Sequence, residues 1–121
     1  MTEAVVVFAH GSRVEAANQA VRAVTAQLAE LGSFRHVEAA FLELGEPSLS
    51  QAVARLVERG VRSIRVIPYF LTSGTHMERD LPRILHDISL QYKDLDLVAT
   101  PPLDTHPALL QILLDRACGT Q

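Results

Sequence analysis

At 121 residues, 48% of them apolar and 21% charged, the chain has the length of one ordinary domain and the composition of a folded one. Its formal net charge of -3 speaks against a non-specific nucleic-acid binder, which carries a basic stripe, and no apolar run is long enough to span a membrane. Cys118, the single cysteine, excludes an internal disulfide, a CxxC redox pair and a four-cysteine iron–sulfur site, and with no cationic leader before the apolar start a cytoplasmic protein is expected.

Val5–Ala9 is continuous, β-branched and bounded by His-Gly-Ser, which predicts a fully buried strand. Val14, Ala17, Val21, Val24, Leu28 and Leu31 recur at steps of three and four, predicting the inner face of a helix that stops at Gly32. Val37–Leu42 reads as a second strand. Pro47-Ser48 opens the next helix, with Ser48 and Gln51 spaced as a capping box and Leu49, Ala52, Val53, Leu56 and Val57 facing inward until Gly60. Ile64–Phe70 is a third strand, leaving the sheet near Pro68.

Beyond Thr75, the residues Met77, Leu81, Ile84, Leu85 and Ile88 have helical spacing, although Pro82 sits among them. Either Asp80 caps a helix that begins near Leu81, or one turn precedes a kink. Leu95–Ala99 is the fourth strand. Pro107 starts a last helix through Leu109, Leu110, Leu113 and Leu114, with Thr105 or His106 at its cap and Cys118 on its apolar face as a structural or incidental thiol.

Such alternation predicts a single α/β domain over 1–121: an open, parallel, four-stranded sheet with helices on both faces. The expected strand order is 2-1-3-4, which places a reversal between strands one and three; the order 1-2-3-4 would leave none there. Ligands of open sheets bind beyond the carboxyl ends of the strands, beside that reversal. The polar residues at those ends are His10-Gly11-Ser12-Arg13, Glu43, Thr72-Ser73-Gly74-Thr75-His76 and Asp104-Thr105-His106. Three of the five histidines and a carboxylate thus gather at one rim.

His10 precedes a glycine, where the backbone can turn sharply and admit a close ligand. A neutral imidazole there binds a metal or accepts a proton. An isolated histidine is more often bonded to a loop carbonyl, but two histidines at one edge, each beside Gly and Ser, favour function. Glu43 is either a solvated loop acid, a partner for Arg13, or a carboxylate that guides metal and takes protons. His36, at the other end of the sheet, and His86, on the polar side of a helix, read as surface residues. His106 is a cap or a supporting residue. The patterns GxxxxGK[ST], GxGxxG, HExxH and GxSxG are absent. The Ser12 hydroxyl lacks the base and orienting acid of a hydrolase, and the Ser73-Gly74 turn is a weak phosphate cradle.

Three segments, Val7-Phe8-Ala9-His10-Gly11-Ser12-Arg13, Phe41-Leu42-Glu43-Leu44-Gly45-Glu46-Pro47-Ser48 and Pro68-Tyr69-Phe70-Leu71-Thr72-Ser73-Gly74-Thr75-His76, closely resemble the small class II tetrapyrrole chelatases. These are the single-domain sirohydrochlorin cobaltochelatases and their iron- and nickel-inserting relatives. The likeness covers nearly the whole chain, with the motifs in order. It implies a homodimeric lyase that inserts a divalent metal into sirohydrochlorin, with no permanently bound cofactor. It also implies that His10 and His76 ligate the metal or accept pyrrole protons, with Glu43 as their acidic companion. The histidine-rich tail and cysteine cluster of some relatives are missing.

The residue types suit that chemistry. Insertion strips water from the ion and removes two pyrrole N–H protons; imidazole suits late first-row ions, and a carboxylate eases dehydration. Leu44, Phe70 and Leu71 would pack the macrocycle, while Ser12, Arg13, Ser73, Gly74, Thr75 and Arg79 would line it and hold its carboxylates. The resemblance implies Co²⁺ and cobalamin (vitamin B12) synthesis first, with Fe²⁺ for sirohaem and Ni²⁺ for coenzyme F430 as alternatives. A non-catalytic metal-delivery protein and a small phosphate-binding or hydrolytic domain are the competing classes.

Overall fold

The computed structural model describes residues 3–72 and 74–119, and of His76 the backbone alone. Strand β1, Ala4–Ala9, is buried along its whole length, as a central strand must be. It pairs in parallel with β2, His36–Phe41, on one side and with β3, Ser63–Pro68, on the other. β4, Asp96–Ala99, adds to β3, giving the expected order β2-β1-β3-β4 with the reversal at β1. β2 and β3 end at Phe41 and Pro68, sooner than their apolar runs suggest, and Leu42 and Phe70 lie in the bends that follow.

Helices cover the two faces unequally. α2, Leu49–Glu58, and α3, Gly74–Gln91, bury Ala52, Val53, Leu56, Met77, Leu81 and Ile88 against the face that carries Val6, Phe8 and Val66. The capping box forms: the Ser48 hydroxyl accepts from the Gln51 N–H, and the Gln51 side chain accepts from the Ser48 N–H. α3 runs through Pro82 from Gly74 rather than beginning near Leu81; Asp80 does not cap it but pairs with Arg83 at 2.8 Å.

α1, Glu15–Leu31, covers the other face with a different set of residues from the expected one. Val14 lies outside the helix at 64% exposure and Leu31 is 87% exposed, while Asn18, Val21 and Thr25 are buried and Leu28 half-buried. The inner face steps through 18, 21, 25 and 28, and its two polar members are admitted because each bonds internally. Thr25 donates to the Val21 carbonyl at 2.8 Å; the bonds of Asn18 run to the site loops. α4, Ala108–Ala117, follows the short helix Leu103–Thr105 and buries no residue.

Candidate functional site

Past the carboxyl ends of β1 and β2 the chain stays zipped for two further rungs. The Leu42 N–H donates to the Ala9 carbonyl at 2.9 Å, and the Glu43 N–H to the His10 carbonyl at 3.1 Å. Gly11, at φ +93°, lies so close to the second loop that a Cβ built on it would stand 1.6 Å from the Glu43 carbonyl oxygen. Only glycine allows that approach. His10 and Glu43 are therefore held on adjacent loops with both side chains exposed, and among the described residues Glu43 makes no ion pair with Arg13.

On the other side of β1, the His10 ring meets the half-buried Phe70 edge-on, with centroids 6.1 Å apart and planes at 63°. Phe70 follows β3 and packs on the core, so it fixes one wall of the rim. The Tyr69 N–H, bonded to the Phe8 carbonyl at 2.7 Å, carries β1–β3 pairing to the start of that wall. The site thus straddles the reversal in strand order.

The remaining candidates occupy the same rim. The Ser12 hydroxyl accepts from the Val14 N–H at 3.0 Å, and Arg13 is exposed. Leu44 is half-exposed at φ +57°. Leu71 is exposed beside Phe70 and lines an apolar trough of ≈ 480 Å³ with Leu103, His106, Leu109, Ile112 and Leu113. Gly74 and Thr75 are exposed in the first turn of α3, with Arg79 exposed in the next. His76 has its backbone in that first turn; its side chain, and Ser73 altogether, lie outside the described residues. Among the described residues no three His, Cys, Asp or Glu side chains converge into a metal cage.

His36 begins β2 at the opposite end of the sheet, and His86 is exposed on α3. The N-cap of α4 is Pro107, not Thr105 or His106; His106 stands one residue before it, and its Nδ1 accepts from the Ala108 N–H at 3.0 Å. Cys118 is exposed at the end of α4. Sequence reasoning missed Asn18, whose amide reaches both the Ser12 and the Leu44 loops. The available signal was its place, three residues before Val21, on the buried side of α1. It also explains the electrostatics nearby. The Glu15 carboxyl lies below its ordinary value, chiefly through the hydrogen bond from Asn18 and then through that from Arg22.

The family model described as CbiX matches residues 4–120. The chain is 34% identical over 133 aligned positions to the sirohydrochlorin cobaltochelatase of Methanopyrus kandleri, covering 93% of each. It is 30% identical to the chloroplastic sirohydrochlorin ferrochelatase of Arabidopsis thaliana, covering 94% of this chain and 51% of that one. Among solved structures, the sirohydrochlorin chelatase SirB of Bacillus subtilis subspecies spizizenii, in complex with cobalt, superposes with a TM-score of 0.87 at 25% identity. That match covers 98% of this chain and 50% of SirB.

Proposed function

The chain belongs to the CbiX family, and on that premise we propose that it is a sirohydrochlorin chelatase that inserts Co²⁺ to supply cobalamin synthesis. The observation that carries this reading is the meeting of His10, Glu43 and Phe70 at the reversal between β1 and β3, in a chain that matches a cobaltochelatase nearly end to end. Cobalt is favoured over iron because the full-length match is to the cobalt enzyme, whereas the ferrochelatase is matched over about half its length. The metal is substrate, not resident cofactor.

In this reading the macrocycle lies against Phe70, Leu71 and Leu44, its carboxylates reaching Arg13 and Arg79 beside Ser12, Ser73, Gly74 and Thr75. His10 and His76 replace water on the incoming ion, and Glu43 offers a carboxylate beside them. The two pyrrole protons leave to these imidazole and carboxylate groups as the metal–nitrogen bonds form, so the ring gains M²⁺ and releases 2 H⁺. Affinity rises from iron through cobalt to nickel for most N/O sites, so discrimination must come from geometry and supply.

The working unit is a homodimer. α4 leaves Leu110, Ile112, Leu113 and Leu114 exposed, more than half of each, and its ten residues are too few to hold a helix unsupported in water. The β3–β4 half of the sheet face that α1 shares is equally bare: Arg65 and Val98 are exposed, and Ile67 opens onto a trough formed with Pro101 and Pro102. One chain therefore carries both an uncovered helix and an uncovered sheet face, and a two-fold partner supplies the complement to each.

Anaerobic incubation with sirohydrochlorin and equal free Co²⁺, Fe²⁺ and Ni²⁺, followed by visible absorbance, tests the proposal. Many turnovers with cobalt insertion dominant are expected. Stoichiometric metal binding without turnover would identify a carrier instead.

A further inference from the structure

Asn18 is a helix residue, yet three of its four side-chain hydrogen bonds go to two loops. It is 2% exposed. Its Oδ1 accepts from the Ser12 N–H at 3.0 Å, while its Nδ2 donates to the Ser12 carbonyl at 2.9 Å. One amide thus engages both backbone groups of a single residue, as a neighbouring strand would. The same Nδ2 donates to the Leu44 carbonyl at 2.9 Å and stands 3.3 Å from Glu15 Oε1. The network fixes the amide's orientation, because the reversed one would set an oxygen against two carbonyls and a nitrogen against a peptide N–H.

Ser12 lies two residues beyond His10, and Leu44 lies one beyond Glu43. Leu44 takes φ +57°, a conformation with a steric cost for leucine, in the turn that presents its carbonyl to Asn18. The backbone zipper of the two loops ends at the Glu43–His10 rung. Past that rung, among the described residues, the hydrogen-bonded link between the loops is the Asn18 amide. We propose that Asn18 is a positioning residue of the metal-insertion site, tying the His10 loop to the Glu43 loop and so fixing how the two side chains stand to one another. This rests on the reading of His10 and Glu43 as two members of the metal-inserting site. The amide touches neither metal nor tetrapyrrole; it acts through the loops.

Asn18→Asp separates this role from simple filling of space, because the two side chains have nearly the same shape. The aspartate keeps an acceptor for the Ser12 N–H but loses the donations to Ser12, Leu44 and Glu15, and it sets a carboxylate against two carbonyls and Glu15. Turnover per folded molecule should fall about 10- to 100-fold, the scale of a misplacement near 1 Å, while KM for sirohydrochlorin stays unchanged. Exchange of the Glu43 amide hydrogen should accelerate as its bond to His10 loosens. Thr25→Val is the control: it removes the other buried polar group of α1, bonded only within the helix, and should change neither kcat nor Glu43 exchange. If Asn18→Asp does not fold, Asn18→Ser, which retains one possible bond, takes its place. Wild-type kcat in the variant, a loss no greater than that of Thr25→Val, or failure of both variants to fold would overturn the positioning role. A wild-type protein that inserts no metal would overturn the chelatase reading alone, since Glu43 exchange still reports whether Asn18 holds the loops. Unchanged exchange would then refute the proposal.

Discussion

Gly11→Ala tests the close approach of the two site loops most directly. The added Cβ would stand 1.6 Å from the Glu43 carbonyl oxygen. Ordinary C···O contacts begin near about 3.3 Å, so the loops must part by roughly 1.7 Å. Holding a residue with a Cβ at positive φ costs about 1–2 kcal/mol. Losing the Glu43-to-His10 hydrogen bond, or weakening it and its Leu42 neighbour, costs about 1 kcal/mol more. The sum, about 2–3 kcal/mol, corresponds to a fall in Tm of roughly 10 °C for a domain of this size. Because the displacement falls between His10 and Glu43, turnover of the still-folded protein should drop about 10²-fold. Gly60→Ala isolates the backbone term: its φ is +86°, but nothing lies within 4 Å of the new Cβ. It should lose stability by about 1–2 kcal/mol and keep full kcat. Thermal unfolding and the absorbance assay, run side by side on both variants, decide the matter. If Gly11→Ala proves no less stable than Gly60→Ala and equally active, the loops are not locked as described.

His10→Ala should retain its far-UV circular dichroism and lose about 10²- to 10⁴-fold in turnover, whereas His36→Ala and His86→Ala should match wild type. Glu43→Gln should slow insertion more than it weakens sirohydrochlorin binding, as read by separate kcat and fluorescence-quenching titrations. Leu113→Glu on α4 should convert a dimer to a monomer near 13.3 kDa in sedimentation; a monomeric wild type would refute the proposed interface. Glu15 has a folded-state pKa below its ordinary 4.5, so its stabilising contribution is present above that value and lost as pH falls through the folded one. Glu15→Gln should accordingly flatten the acid limb of a Tm-against-pH curve; an unchanged limb would show that its bonds to Asn18 and Arg22 add nothing.

What was legible in the sequence was whatever rests on apolar periodicity. β1 is a run of buried residues, and the alternation of such runs with helical spacing was enough to give a parallel α/β sheet; of the two strand orders it left open, the structure has the expected β2-β1-β3-β4. Element ends were less legible. Leu42 and Phe70 look like strand residues because they are apolar, yet both lie in the bends past the strand ends, at the candidate rim. Pro82 left open whether a helix begins near Leu81 or one turn precedes a kink, and α3 runs through it from Gly74: a proline removes one donor and disturbs one turn, which packing of Met77, Leu81 and Ile88 on the sheet offsets.

The misplacement of the buried face of α1 has a different origin, and it bears on how such sites are found. An apolar stripe ranks positions by their own hydrophobicity, so Val14 and Leu31 were counted inward and Asn18 and Thr25 outward. Burial depends instead on whether a group's hydrogen bonds are met inside, and those of Asn18 are met by peptide groups six and 26 residues away. The Leu44 partner lies outside any local window. The uncovered face of α4 errs in the opposite sense: Leu110, Leu113 and Leu114 have the spacing of a core-facing helix, but among the described residues each stays more than half exposed. A polar residue that is buried and an apolar face that is not are both departures from the same rule. One departure falls on the loops that hold the candidate site, and the other on the surface where a second copy is expected.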